Sequence, residues 1–78
     1  MIESQTVHLE IENPWDYLTE RQKEITILRL QGYRNAKIAE MLQIEPATVR
    51  THLRAICRVV RTDRVRESLD ILRPFQGY

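Results

Sequence analysis

Residues 46–61 read PATVRTHLRAICRVVR, and the main helix of the predicted fold lies in this segment. Its apolar residues recur at the spacing i, i+4, i+7 and i+11, which places them on one face of an α-helix. They are Val49, Leu53, Ile56 and Val60. Pro46 suits the first turn of such a helix, because the N–H that proline lacks has no helical partner there. The sequence therefore predicts a helix over residues 46–60 with one buried face.

Four arginines recur at the similar spacing i, i+4, i+8 and i+11, beginning one position after Val49. They are Arg50, Arg54, Arg58 and Arg61. A helix rises 1.5 Å per residue, so these guanidinium groups extend along about 16 Å. An apolar stripe beside such a row fits a helix that is held on a protein body and presented to a DNA groove. A basic face that is merely solvated is the alternative reading.

Three more helices are predicted around this one. Thr19 and Gln22 form the Thr-x-x-Gln capping box of a first helix, which Gly32 ends by taking a left-handed conformation. Asn35 is expected to cap a second helix over residues 36–43, and Asp63 a fourth over residues 64–72. The expected core positions of these helices are Ile25, Ile27, Leu28, Leu30, Ile38, Ala39, Met41, Leu42, Val65, Leu69 and Leu72.

The first residues follow a different period. Val7, Leu9 and Ile11 alternate with polar neighbours, as in a strand with one buried face. A single strand cannot satisfy its own backbone hydrogen bonds, so it must pair across a dimer or lie as an extended arm on the helices. Trp15 and Tyr17 are expected to anchor this arm. The predicted organisation is an acidic extended arm over residues 1–17 and a helical domain over residues 18–78.

Charge is distributed unevenly along the chain. The formal net charge of the 78 residues is only +1, but residues 1–20 carry −5 and residues 21–78 carry +6. A basic body behind an acidic arm indicates a polyanionic partner more strongly than the whole-chain charge does.

Composition excludes several classes of protein. The single cysteine, Cys57, leaves no internal disulfide framework, so a reducing cytoplasm is the expected location. No apolar run approaches the roughly 18 residues of a membrane span, and no basic region opens a signal peptide. His8 and His52 lack the spacing of a metal motif, and no phosphate loop or nucleophile elbow is present. We expect no catalytic residues, no metal and no cofactor.

A dense pattern of residue types runs from position 18 to position 56. Its members are Leu18, Thr19, Arg21, Glu24, Ile25, Leu28, Gly32, Asn35, Ile38, Ala39, Leu42, Ile44, Pro46, Thr48, Val49, Arg50, Thr51, His52 and Ile56. This pattern resembles the LuxR-type DNA-binding domain, also called the GerE or FixJ type. The resemblance covers about residues 18–60 and weakens towards residue 72.

The resemblance implies an all-α, four-helix domain with a helix-turn-helix, in which the third helix reads double-stranded DNA and the fourth pairs with its twin. Base contacts are implied for Arg50, Thr51 and Arg54. Phosphate contacts are implied for Asn35, Lys37, Thr48 and Arg58, and a dimer interface for Val65, Leu69 and Leu72. The implied function is a sequence-specific transcriptional regulator of bacterial or phage origin that acts as a homodimer.

The chain departs from the resembled pattern at two places that matter. Glu45 stands where the family often has Ser, and it is a poorer cap for the third helix. Val60-Arg61-Thr62 replaces the family's Leu-Gly-Val, so the glycine that turns the chain is missing. We therefore expect a longer third helix or a different departure angle for the fourth.

Two other functions share parts of this pattern. The sigma-factor region that reads the promoter −35 element has the same kind of helix opening and recognition-helix start. A protein-binding adaptor that engages a transcription factor or RNA polymerase would use the acidic arm and Trp15. Loss of base preference on mutation of Arg50 separates DNA readers from an adaptor.

The charge split also predicts a regulatory role for the arm. If its acidic residues fold against the arginine face of the same or a partner subunit, they weaken non-specific DNA binding. Deletion of residues 2–13 is then expected to tighten binding to duplex DNA at low salt, as measured by fluorescence anisotropy. Unchanged affinity would contradict this hypothesis and favour an arm that stabilises a dimer through Val7, Leu9 and Ile11.

Overall fold

Four α-helices connected by short turns make up the part of the chain that the computed structural model describes, residues 13–76. The helices are α1 (Glu20–Leu30), α2 (Asn35–Leu42), α3 (Pro46–Val59) and α4 (Val65–Leu72). Two 3-10 helices, Pro14–Tyr17 and Arg73–Phe75, flank them, and no strand occurs within residues 13–76. The predicted all-α architecture is confirmed.

The third helix lies at the centre of the domain and contacts α1, α2 and α4. Its predicted apolar stripe is buried: Val49 and Ile56 are 0% exposed and Leu53 is 3% exposed. Val60 is partly buried and follows the last residue of α3, so this helix ends one residue before its predicted end and does not run longer. The other buried members of the core are Trp15, Leu18, Ile25, Ile38, Ala39 and Leu72.

The start of α1 has the predicted capping box. The Thr19 Oγ1 atom accepts from the Gln22 backbone N–H at 3.1 Å, and Gln22 Oε1 accepts from the Thr19 N–H at 2.9 Å. These bonds satisfy two of the donors that a helix start leaves unpaired. Thr26, which the sequence pattern does not mark as a core residue, is fully buried, and its hydroxyl donates to the Gln22 carbonyl at 2.8 Å.

Three helices end in the same way, with one residue in the left-handed conformation. These residues are Gly32 (φ 99°) after α1, Gln43 (φ 58°) after α2 and Arg61 (φ 61°) after α3. In each turn the next residue donates its N–H to the carbonyl five positions earlier, as in Tyr33 to Leu28 and Thr62 to Cys57. This is the Schellman motif. Arg61 therefore makes the turn that glycine makes in the resembled family.

Two predicted helix caps are wrong. Asn35 is the first residue of α2, and the cap position belongs to Arg34, whose side chain makes no capping hydrogen bond. Asp63 does not cap α4, which begins at Val65 after Arg64. The turn before α4 is held by Thr62, whose hydroxyl bonds the Glu67 carboxylate and accepts from the Arg64 N–H at 3.3 Å.

The end of the predicted arm belongs to the folded domain. Pro14–Tyr17 form a 3-10 helix, and Trp15 is 8% exposed within the core. The Trp15 indole N–H donates to the Leu72 carbonyl at 2.9 Å, which ties the chain before α1 to the end of α4. Tyr17, the other expected anchor, is 57% exposed. Val7, Leu9 and Ile11 lie outside the described residues.

One apolar residue is more exposed than expected, and another lies in the protomer core and not at the implied dimer interface. Met41, expected in the core, is 43% exposed, because it lies at the edge of the α2 face that carries Ile38 and Ala39. Leu72, expected at a dimer interface, is 0% exposed and belongs to the protomer core. Within residues 13–76, no helix combines the length and the apolar character that a membrane crossing requires.

The left-handed Arg61 predicts a stabilising substitution. Arg61→Gly removes a conformational cost of about 1 kcal/mol or more, part of which the greater freedom of glycine in the unfolded chain offsets. We expect Tm to rise by a few degrees in a thermal unfolding experiment. The matched control is Arg58→Gly, inside α3, which should lower Tm because glycine costs about 1 kcal/mol in a helix. A fall in Tm for Arg61→Gly would contradict the conformation described for this turn.

Candidate nucleic-acid interface

The solvent face of α3 carries the three predicted base-contacting residues. Arg50, Thr51 and Arg54 are all exposed, and Arg58 is exposed on the same side. Successive residues of a helix turn by about 100°, so Arg50, Arg54 and Arg58 advance around the helix by only about 40° each. The structure therefore places these three arginines on one face, along about 12 Å of the helix axis.

Packing on the opposite side fixes the direction of this face. Val49 and Leu53 each precede an arginine of the face and are buried in the core. A rotation of α3 that hid Arg50 or Arg54 would bring these apolar side chains into water. The Thr51 side chain is oriented by its own helix, because its hydroxyl donates to the Ala47 carbonyl at 3.0 Å. The apolar contacts of α3 thus present its arginines to solvent.

Within residues 13–76, no acidic side chain pairs with an arginine of α3. The four ion pairs of this part of the chain lie elsewhere, at Arg21 to Glu24, Lys23 to Glu20, Lys37 to Glu40 and Arg73 to Asp70. Each joins residues three apart on or beside one helix, so it neutralises charge locally. The arginines of the α3 face therefore make no ion pair in this part of the fold, although Asp63 lines the same depression as Arg54 and Arg58.

The start of α2 holds two of the predicted phosphate contacts. Lys37 is exposed, and its ion pair with Glu40 is long, at 3.4 Å, and open to solvent. Exposed pairs of this kind contribute little energy, so a phosphate group can compete for the lysine. Asn35 is half-buried, and its Oδ1 atom is buried without a hydrogen-bond partner among the described residues.

The start of α3 holds the remaining predicted phosphate contact, Thr48, which is exposed in the first turn. Glu45 occupies the cap position and makes no side-chain capping bond, as the comparison with Ser predicts. Its backbone carbonyl accepts from the N–H groups of Thr48 and Val49, at 2.9 and 3.2 Å. Helix starts suit anions because their free N–H groups and the helix dipole favour negative charge.

The structure changes the set of basic residues at this interface in two ways. Arg61 leaves the α3 row, because it follows the last residue of the helix and adopts a left-handed conformation. Arg34, which the sequence analysis overlooked, is exposed at the cap of α2 beside Asn35 and makes no ion pair within residues 13–76. The sequence predicted that α2 begins one residue later, with Asn35 as its cap, and this placed Arg34 outside the helix start.

The predicted dimer residues lie mostly inside the protomer. Leu69 is 8% exposed, Leu72 is fully buried and Val65 is half-buried. The exposed residues of α4 are Arg66, Glu67, Asp70 and Ile71, and Ile71 is 40% exposed. A partner subunit on α4 would therefore meet Ile71 and its charged neighbours. Cys57 is buried in α3, and no cluster of three potential metal ligands occurs in the described part of the chain.

One comparison with known proteins found a match. The family model GerE, described as bacterial regulatory proteins of the luxR family, matches residues 16–67, which is more than half of the chain. The match includes α1, α2, α3 and the first turn of α4. Neither the search of curated proteins nor the search of solved structures found a match.

Proposed function

Because the chain belongs to the luxR family of bacterial regulatory proteins, we propose that it is a sequence-specific transcriptional regulator that reads double-stranded DNA with α3. The observation that carries this proposal is the row of exposed arginines on a helix whose other side is buried in the core. An α-helix fits the major groove of B-DNA, where each base pair presents a distinct pattern of donors and acceptors.

Base reading is assigned to Arg50, Thr51 and Arg54. The two guanidinium groups can each donate two hydrogen bonds to O6 and N7 of a guanine. The Thr51 hydroxyl already bonds the helix backbone, so its methyl group is left to contact a thymine methyl. This set favours a half-site that contains guanine and thymine.

Phosphate binding is assigned to residues at two helix starts and along α3. The predicted set of Asn35, Lys37, Thr48 and Arg58 gains Arg34, which is exposed at the cap of α2. Such contacts fix the register of the protein on the duplex without reading sequence. They also make the affinity depend on salt, because each neutralised phosphate releases counterions.

We further propose that the regulator is a cytoplasmic homodimer on a two-fold site and that RNA polymerase or another regulator is its protein partner. The small size of the four-helix domain supports the dimer, because such a domain has a thin core that self-association extends. Ile71 supports α4 as the interface, since it is an exposed apolar residue on the helix that the family resemblance assigns to pairing.

Two arginine substitutions test the reading of DNA. Arg50→Ala is expected to cost about 1 to 3 kcal/mol of binding free energy on the preferred site and to relax the choice of one base. Arg58→Ala is expected to weaken binding to all sequences and to lower the slope of log K against log salt by about 1. Anisotropy titrations at several salt concentrations measure both effects.

Arg73→Ala is the matched control, because it removes the same side chain from a position paired with Asp70 outside α3. All three variants should keep the Tm of the unmodified protein, since the arginines are exposed. Equal DNA affinity and base preference for Arg50→Ala and the control would contradict the proposal and favour the adaptor.

The dimer has a separate test in sedimentation velocity. Ile71→Asp places a charge on the exposed side of α4 and is expected to shift the protein from dimer to monomer. Gln31→Asp introduces the same charge at an exposed position outside α4 and should leave the dimer intact. A dimer that withstands Ile71→Asp would contradict the assignment of α4.

A further inference from the structure

An apolar groove between α1 and α2 has no role in the proposed DNA interface. Ile27, Leu28, Met41 and Leu42 line it, together with Glu24 at its edge. Ile27, Leu28 and Leu42 are only partly buried, and Met41 is 43% exposed. The Glu24 carboxylate pairs with Arg21 at 3.1 Å, so it does not oppose an apolar occupant with an uncompensated charge.

The described chain begins at a depression that shares Ile27 with this groove. Asn13 and Ile27 line a second depression, which also includes Lys23, Trp15 and Phe75. Ile27 therefore belongs to both surfaces, and a chain that continues backwards from Asn13 past Ile27 reaches the groove. Trp15 is fixed in the core by its bond to Leu72, so the starting point of this path is fixed as well.

Residues 1–12 have the pattern that such a groove accepts. Val7, Leu9 and Ile11 alternate with His8 and Glu10, so an extended chain presents three apolar side chains on one face. At about 3.3 Å per residue, Val7 lies within about 20 Å of Asn13 along the chain, which is enough to follow α1 along the groove. Glu10 and Glu12 would then face away from the groove or towards Lys23.

We propose that the segment Val7–Ile11 binds in the α1–α2 groove of its own subunit as an extended strand and covers Ile27, Leu28 and Met41. The connection through Asn13 favours this occupant over a separate molecule, because a short tether gives an effective concentration of order mM. None of the α3 arginines lines the groove. Binding of the segment in the groove leaves the DNA-binding face of α3 open. In the alternative hypothesis, the acidic arm covers the α3 arginines and weakens DNA binding.

Methyl NMR of the full chain tests the placement directly, since Val7, Leu9 and Ile11 and the apolar residues of the groove all carry methyl groups. We expect nuclear Overhauser contacts from Leu9 or Ile11 methyls to the methyls of Met41, Ile27 or Leu28. A sample of two differently labelled protein pools separates contacts within one subunit from contacts between subunits. Contacts seen only between subunits, or none to the groove, would overturn the proposal.

A pair of substitutions supplies an independent readout. Leu9→Asp places a charge against the groove and is expected to lower Tm by about 4 to 8 °C, the shift that corresponds to about 1 kcal/mol in a domain of this size. His8→Asp introduces the same group on the opposite face of the strand and should leave Tm nearly unchanged. In a Met41→Ala background, the effect of Leu9→Asp should shrink, because the two residues share one contact.

DNA binding separates this proposal from the proposed function. Leu9→Asp and His8→Asp change the net charge equally, so they should bind duplex DNA with equal affinity if the segment lies in the groove. A difference between them that appears only in DNA affinity, with equal Tm, would overturn the groove and place the segment on the α3 face. Failure of both proteins to bind DNA would count against the proposed function alone.

Discussion

The burial of Val49, Leu53 and Ile56 holds α3 in the centre of the domain. These side chains join α3 to α1, α2 and α4, and they set which side of the helix faces water. Truncation of one such side chain to alanine costs about 2 to 5 kcal/mol, against a total stability of about 5 to 15 kcal/mol for a typical domain. The arginine face is exposed and carries no such constraint, so its residues are free to follow the demands of binding.

The three turns between the helices have the same backbone conformation. Each must reverse the chain within a few residues while satisfying the last carbonyls of a helix, and each does so with a left-handed residue. Only Gly32 adopts that conformation without a steric cost, whereas Gln43 and Arg61 bear one. Arg61 keeps α3 close to its expected length and starts α4 in spite of the missing glycine, which also withdraws one arginine from the row on α3.

Periodicity predicted most of the fold because α3 is long and its apolar and basic residues repeat without interruption. The capping box at Thr19 and the stop at Gly32 were predictable because each rests on local chemistry. Asn35 and Asp63 were misassigned as caps because the path of the preceding turn, rather than the capping preference of a side chain, decides where α2 and α4 begin. Leu72 shows a related limit: a stripe of apolar residues indicates burial but not whether the protomer or a partner covers it.

Selection of the purified full chain on a random pool of duplex DNA shows whether the α3 face reads bases or only attracts phosphate. The experiment is run at low salt and again near physiological salt, since salt weakens phosphate attraction far more than base contacts. We expect an enriched two-fold motif that persists at the higher salt, because the α3 arginines would then contact bases. Binding without enrichment that vanishes as salt rises would contradict this expectation.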